Sequence, residues 1–192
     1  NEAPPAIISM VLGSEVNRVF DSIVNDREME EVHKQRFNTG VAVVSDFSKD
    51  DSDRNRTSPF ALTGNKFEFR AVGSSQSIAG SNTMLNAILA YEMNQMSEQI
   101  RQGKEALEII KEYVQNHKRI IFEGDGYSEK WQKEAEKRGL PNRRTTVEAL
   151  QHFTDEKNVQ MLSSLGVYSK EEIVSRHHIL LENYAKSVHV EA

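Results

Sequence analysis

The sequence contains no cysteine. That excludes disulfides and thiolate zinc sites, and it fits a cytosolic origin. No apolar run approaches the roughly 20 residues that span a bilayer, and the first residues do not read as a signal peptide, so no membrane partner is expected. An excess of positive charge is missing too. The formal net charge is −5, with 24 Lys and Arg against 29 Asp and Glu, which argues against a nucleic-acid footprint. There is no internal repeat and no low-complexity tract. What is present is a soluble, helix-leaning composition, 38% apolar and 28% charged over 192 residues, enough for one domain or one domain with an extension. The chain opens on Asn1-Glu2-Ala3-Pro4-Pro5 rather than Met and stops at Val190-Glu191-Ala192, inside what reads as a continuing helix. Both ends look cut, and a segment of a longer polypeptide is expected.

Along the chain, a Pro-bearing loop leads into the apolar run Ile7–Leu12, a short strand ended by Gly13. Ser14 can cap a helix, and Val16, Val19, Phe20, Ile23 and Val24 follow at helical spacing. Residues 25–38 are charged and patternless, Val41–Val44 read as a strand, and 45–57 form a polar loop. Two strand-like runs, 58–63 and 65–72, meet at Thr63-Gly64-Asn65 and predict a β-hairpin. A Gly/Ser-rich connection precedes Thr83, and from there the pattern is helical almost to the end. Gly103 is read as a tolerated weak point within that pattern. Gly124-Asp125-Gly126 breaks it, Ser128 can cap the helix carrying Trp131, and Gly139-Leu140-Pro141 ends that helix. Thr145-x-x-Glu148 and Ser169-x-x-Glu172 are capping boxes. The fold class is therefore α+β: β-rich to about residue 75 and all-helical from about 83, with a boundary near residue 100.

The most informative residues are Arg56–Arg70. At the end of this run Phe67 and Phe69 alternate with Lys66, Glu68 and Arg70. Strand side chains have period 2, so the three charged groups stand in a row on one face. Such a row can be merely the solvated side of a strand. It can also be chemical, because Arg54 and Arg56 add cations close by, and several cations with one carboxylate suit ATP phosphates and a divalent ion. Glu2, taken alone, is a loop carboxylate. His177 and His178 are adjacent, so on a helix they project about 100° apart and do not pair as metal ligands. Together with His33, His117, His152 and His189 they read as surface or partly buried residues. Gly124-Asp125-Gly126 lacks the Lys-Ser/Thr of a phosphate loop and reads as a turn. The Met and aromatic positions (Met84, Met93, Met96, Tyr113, Trp131, Phe153, Tyr184) read as core or subunit contacts.

Asn55-Arg56-Thr57-Ser58-Pro59-Phe60, followed by Gly64-Asn65-Lys66-Phe67-Glu68-Phe69-Arg70, closely resembles glutamine synthetase, specifically the long-subunit type III form. Asn1-Glu2-Ala3-Pro4-Pro5-Ala6-Ile7 is similar to that family's flexible Glu-Ala-Pro flap. Gly80-Ser81-Asn82-Thr83-Met84-Leu85 resembles the start of the helix after the Glu-x-Arg strand. The three motifs occur in the family's order, the superfamily signal covers about residues 1–100, and the type III signal extends further. The resemblance implies an ATP-dependent ligase of nitrogen metabolism that forms L-glutamine from L-glutamate and ammonium through γ-glutamyl phosphate. It implies that Glu2 is the flap glutamate that deprotonates ammonium, Glu68 a ligand of a catalytic Mg²⁺ or Mn²⁺, Arg56 a contact to the transferring phosphate, and Arg70 an arginine near substrate glutamate and the phosphoryl group. Lys66 stands where short-subunit forms have an ATP-phosphate arginine. The implied parent is a cytoplasmic homo-oligomer, a dodecamer of two hexameric rings.

The chain departs from the short-subunit pattern in three ways. A further arginine of those forms is replaced by the stretch Pro59-Phe60-Ala61-Leu62, a long insertion with the Ser14–Asn25 helix separates flap from arginine loop, and the family's other metal ligands are absent from these residues. The expected organisation is residues 1–100 as the C-terminal part of the catalytic β-sheet domain and 101–192 as a helical extension. Alone, this segment is expected to be inactive. Two alternatives stay open: a γ-glutamyl-polyamine ligase of the same superfamily, and a non-catalytic helical interaction module.

Overall fold

The computed structural model describes residues 7–28, 36–37, 47–48, 57–71 and 76–191. In chain order the elements are β1 (Met10–Val11), α1 (Ser14–Val24), β2 (Arg36–Phe37), β3 (Phe47–Ser48), β4 (Phe60–Thr63), β5 (Lys66–Phe69), α2 (Ala79–Arg101), α3 (Ala106–His117), a 3₁₀ turn (Lys118–Ile120), α4 (Glu129–Lys137), α5 (Thr146–Leu150), a second 3₁₀ turn (Gln151–Thr154), α6 (Glu156–Ser164) and α7 (Lys170–Glu191). The architecture is mixed α+β and helix-rich, with a small three-stranded sheet. Two compact units form, and they do not follow a linear cut near residue 100. One joins Asn1–Val72 to Glu105–Pro141, and the other joins Gly73–Lys104 to Asn142–Ala192.

The first unit is built on the sheet β1-β4-β5, with β1 parallel to β4 and β4 antiparallel to β5. The predicted hairpin forms with Thr63 opposite Lys66, which leaves Gly64 and Asn65 as a two-residue turn. Gly64 has φ of 71° and Asn65 is not in the left-handed region, the pattern of a type II′ turn with glycine first. β2 and β3 pair antiparallel. They fall within stretches read from the sequence as patternless and as loop, because two-residue strands carry no measurable period. The Val41–Val44 strand expectation lies outside the described residues.

Ser14 does not cap α1; it is the first helical residue. Gly13 takes the cap position without a side-chain bond. The missing acceptor comes from far along the chain. Glu123 Oε1 accepts from Leu12 N at 2.9 Å, Gly13 N at 3.2 Å and Asn17 Nδ2 at 2.6 Å. A carboxylate there also complements the positive end of the helix dipole. The half-buried stripe of α1 packs on α3, and Lys111 pairs with Asp26. Ile121 then bridges Met10 in parallel, with Phe122 N donating to Met10 O at 3.0 Å. Ser128 caps α4 as expected, accepting from Trp131 N. Trp131 is fully buried with Ile7 and Ala135, stacks on Phe122 at 4.5 Å, and donates Nε1–H to Ile7 O at 3.1 Å.

The second unit packs α2, α5, α6 and α7 around Ala87, Val159, Leu162 and Ile173, with Met84, Phe153 and Tyr168 against them. Helix α2 starts at Ala79, a turn before Thr83, where Ser77 Oγ accepts from Ala79 N at 3.2 Å. Gly103 is not an interior weak point. It terminates α2 at φ of 89°, with Gly103 N bonding Ile100 O at 2.9 Å and Lys104 N bonding Gln99 O at 3.0 Å, a Schellman motif. Ser169 and Glu172 form a complete capping box: Glu172 N donates to Ser169 Oγ at 3.2 Å and Ser169 N to Glu172 Oε2 at 2.9 Å. At Thr145 only half the box closes as expected. Glu148 N donates to Thr145 Oγ1, but Glu148 Oε2 accepts from Arg144 N instead.

Candidate functional site

The hairpin places Lys66 and Glu68 of β5 and Arg70 just after it in one ion-paired row, as the period-2 reading predicts. Lys66 Nζ lies 3.0 Å from Glu68 Oε1, and Arg70 Nη2 lies 3.1 Å from Glu68 Oε2. Arg70 Nε also donates to Oε2 at 3.4 Å. Each carboxylate oxygen is thus engaged by a different cation. Side-chain exposure falls from 65% at Lys66 through 36% at Glu68 to 17% at Arg70, so the row runs from solvent into the fold. The hydrogen bond from Lys66, then that from Arg70, lowers the Glu68 pKa below the ordinary carboxylate value. Glu68 is therefore ionised at neutral pH.

Arg70 is fixed by more than its carboxylate. Its Nη1 donates to Ser58 O at 3.3 Å and its backbone N to Pro59 O at 2.8 Å. Ser58, fully buried, donates Oγ–H to Ser9 O at 3.1 Å. The segment 57–59 thus links β1 to the guanidinium. Sequence reasoning missed these contacts, which are made by backbone carbonyls and leave no residue-type signal. On the opposite face Phe60 stacks on Phe67 at 5.4 Å and meets Phe69 at 6.3 Å. Phe67 and Phe69 are exposed.

Glu2, Arg54 and Arg56 lie outside the described residues. Of the five predicted site residues, the structure therefore brings together Lys66, Glu68 and Arg70. Chemically, this row combines one carboxylate, both of whose oxygens are ion-paired here, with two cations of the kind that bind phosphate or carboxylate oxygens. Glu68 fits the donor set a divalent ion prefers, but as a single ligand. No group of three His, Asp or Glu side chains able to hold a metal occurs among the described residues. His177 and His178 sit with ring centres 5.9 Å apart on α7 and join no such group. A cleft between α1 and the Lys118–Ile120 turn, lined by Phe20, Val24, Val114, Lys118, Arg119 and Arg138, contains none of the predicted site residues. No described helix is long and apolar enough to cross a membrane.

Residues 105–192 match the family model described as the glutamine synthetase C-terminal domain. The whole chain aligns with the type-3 glutamine synthetase of Dictyostelium discoideum at 44% identity over 199 residues, covering 27% of that protein. It aligns with the glutamine synthetase of Bacteroides fragilis at 39% identity over 203 residues and with that of Butyrivibrio fibrisolvens at 38% over 205, covering 28% of each. In all three cases the alignment takes in 100% of this chain. The chain spans just over a quarter of the length of these relatives.

Proposed function

We propose that this chain, all of which aligns with glutamine synthetases, is the C-terminal segment of a type III subunit whose reaction joins ammonium to the side-chain carboxylate of L-glutamate at the expense of ATP. The observation that carries this is the ion-paired row Lys66–Glu68–Arg70 on an open strand face, within a sequence all of which aligns with just over a quarter of those enzymes. Residues 1–100 belong to the catalytic domain in this reading, and 101–192 form the helical extension.

The chemistry follows from charge. A γ-carboxylate oxygen of glutamate attacks the γ-phosphorus of ATP, the bond to the β–γ bridging oxygen breaks, and ADP leaves. Ammonia then attacks the acyl carbon, and inorganic phosphate departs with the C–O electron pair. Negative charge gathers on phosphoryl oxygens in the first step and on the acyl oxygen in the second, so preorganised cations accelerate both. Arg70, held on three sides by Glu68, Ser58 O and Pro59 O, serves the substrate glutamate and the phosphoryl group. Lys66, at the exposed end of the row, and Arg56 serve ATP phosphates. Glu2 takes the proton from ammonium. Glu68 would supply a carboxylate ligand to Mg²⁺ or Mn²⁺ by giving up an ion pair with Lys66 or Arg70, and the ion would screen the phosphate charge. The parent is a cytoplasmic dodecamer of two hexameric rings.

The test is phosphate release from ATP by the full-length subunit, with glutamate, with and without ammonium, and with Arg70→Ala as control. Release that requires both substrates and falls at least a hundredfold in the variant is expected. Release that is indifferent to ammonium, or that appears only with another amine such as a polyamine, would discard the reading.

A further inference from the structure

Arg70 is linked by hydrogen bonds to Ser58 and Pro59, and the same short segment is touched by a turn within residues 105–192, the stretch that matches the family model. Gly126 N donates to Thr57 O at 2.6 Å. Gly126 is buried. A Cβ added there would lie 2.6 Å from Ser9 Oγ, 3.2 Å from Pro59 Cδ and 3.2 Å from Thr57 O. The first distance is shorter than real Cβ contacts, and the other two are tight. Its φ does not lie in the left-handed region, so glycine is required by close approach and not by backbone conformation.

The turn is itself held. Tyr127 N donates to Asp125 Oδ1 at 3.0 Å, and Ser128 Oγ donates to Asp125 O at 2.6 Å while capping α4. Just upstream, Phe122 N bonds Met10 O and Glu123 caps α1. Residues 121–126 therefore run against β1 and the 57–59 segment, one residue after Arg56 in sequence.

We infer that the Gly124–Gly126 turn of the C-terminal domain is a positioning element for Arg70, with Gly126 the residue whose lack of a side chain lets the turn seat on Thr57–Pro59. This rests on the proposed reaction for its catalytic consequence, though not for its structural one. The Glu105–Pro141 stretch, which shares a compact unit with residues 57–71, is then part of the active-site support and more than an appendage. Ser9 adds a handle. Its hydroxyl is buried without a hydrogen-bond partner among the described residues, so removing it sacrifices no bond and opens the space a Cβ at position 126 would need.

The test uses the full-length subunit as wild type, Gly126→Ala, Ser9→Ala and the double variant, with hydrogen exchange over residues 57–71 measured beside steady-state kinetics. Gly126→Ala should raise exchange in that segment about tenfold and lower kcat about tenfold, the scale expected when a catalytic group is displaced by a fraction of an ångström. Ser9→Ala alone should stay near wild type, and the double variant should recover most of both losses, because the 2.6 Å clash is gone and the 3.2 Å contacts to Pro59 Cδ and Thr57 O are merely tight. Ser128→Ala, which loosens the turn without adding an atom, should raise exchange over the same residues and cuts kcat about twofold. It decides the matter if Gly126→Ala does not fold. Unchanged exchange in 57–71 overturns the inference. So does raised exchange with wild-type kcat, or a kcat loss that Ser9→Ala does not relieve. Absence of glutamine formation in the wild type defeats the proposed reaction instead, and the exchange data still decide whether the turn supports the segment.

Discussion

Glu68 is gripped at each oxygen by a different cation, and this gives the row its pH behaviour. Its pKa is depressed in the folded chain, chiefly by the Lys66 hydrogen bond and then by Arg70. A depressed carboxylate contributes stability that is present above its unfolded-state pKa and is lost as pH falls through the folded one. Lys66→Ala should therefore move the Glu68 pKa back up toward the ordinary value, and carboxyl-carbon NMR titration of the two proteins reads the shift directly. An unmoved titration would mean that Lys66 does not hold the carboxylate in solution. For Arg70 the conservative change is the sharper probe. Arg70→Lys retains the charge but loses the fork that reaches Glu68 and Ser58 O together, so under the proposed reaction activity of the full subunit should fall about tenfold or more, detected as glutamine formed per unit time. At this scale the row was legible, since strand periodicity alone puts residues 66, 68 and 70 on one side. The carbonyls that orient Arg70 were not, because any residue type can present a backbone oxygen.

Helix ends tell the same story one level up. The Ser169 box closes in both directions and was readable from four letters, because its partners lie within one turn. Ser169→Ala should cost about 1 kcal/mol in denaturant unfolding. The end of α2 was misread. Gly103 sits in a run whose flanks both look helical, and only its positive φ and the paired bonds to Ile100 and Gln99 carbonyls show a terminus. Gly103→Ala forces a side chain into the left-handed region and should cost about 1–2 kcal/mol, whereas at an interior helical glycine the same change would stabilise. A gain in stability would restore the interior reading. The start of α1 escaped for a different reason. Its cap is Glu123, more than a hundred residues away, where no local motif reaches.

For the whole molecule the deciding fact is that the two compact units interleave in sequence, with Glu105–Pro141 folding onto the N-terminal part. Trp131, the largest buried side chain, does much of this joining through Phe122, Ile7 and Ala135. Trp131→Ala should cost about 3–5 kcal/mol by denaturant unfolding, and a loss below about 1 kcal/mol would mean that α4 is not integral to its unit. The 192-residue chain by itself should form no glutamine in a coupled assay, since Glu68 is the one carboxylate proposed as a metal ligand at the row and no three-ligand group occurs among the described residues. Measurable turnover would refute this. The sequence by itself determined the α+β class, the hairpin, the charged row, the helix caps made by near neighbours and the resemblance to glutamine synthetases, because each rests on residue types at short spacing. Only the tertiary structure decided that the Gly124–Gly126 turn lies on Thr57–Pro59, that Glu123 caps α1, and that a linear boundary near residue 100 does not divide the compact units. Those contacts join backbone groups and side chains far apart in the chain, and their geometry is set by how the core around Trp131 packs and not by any local pattern.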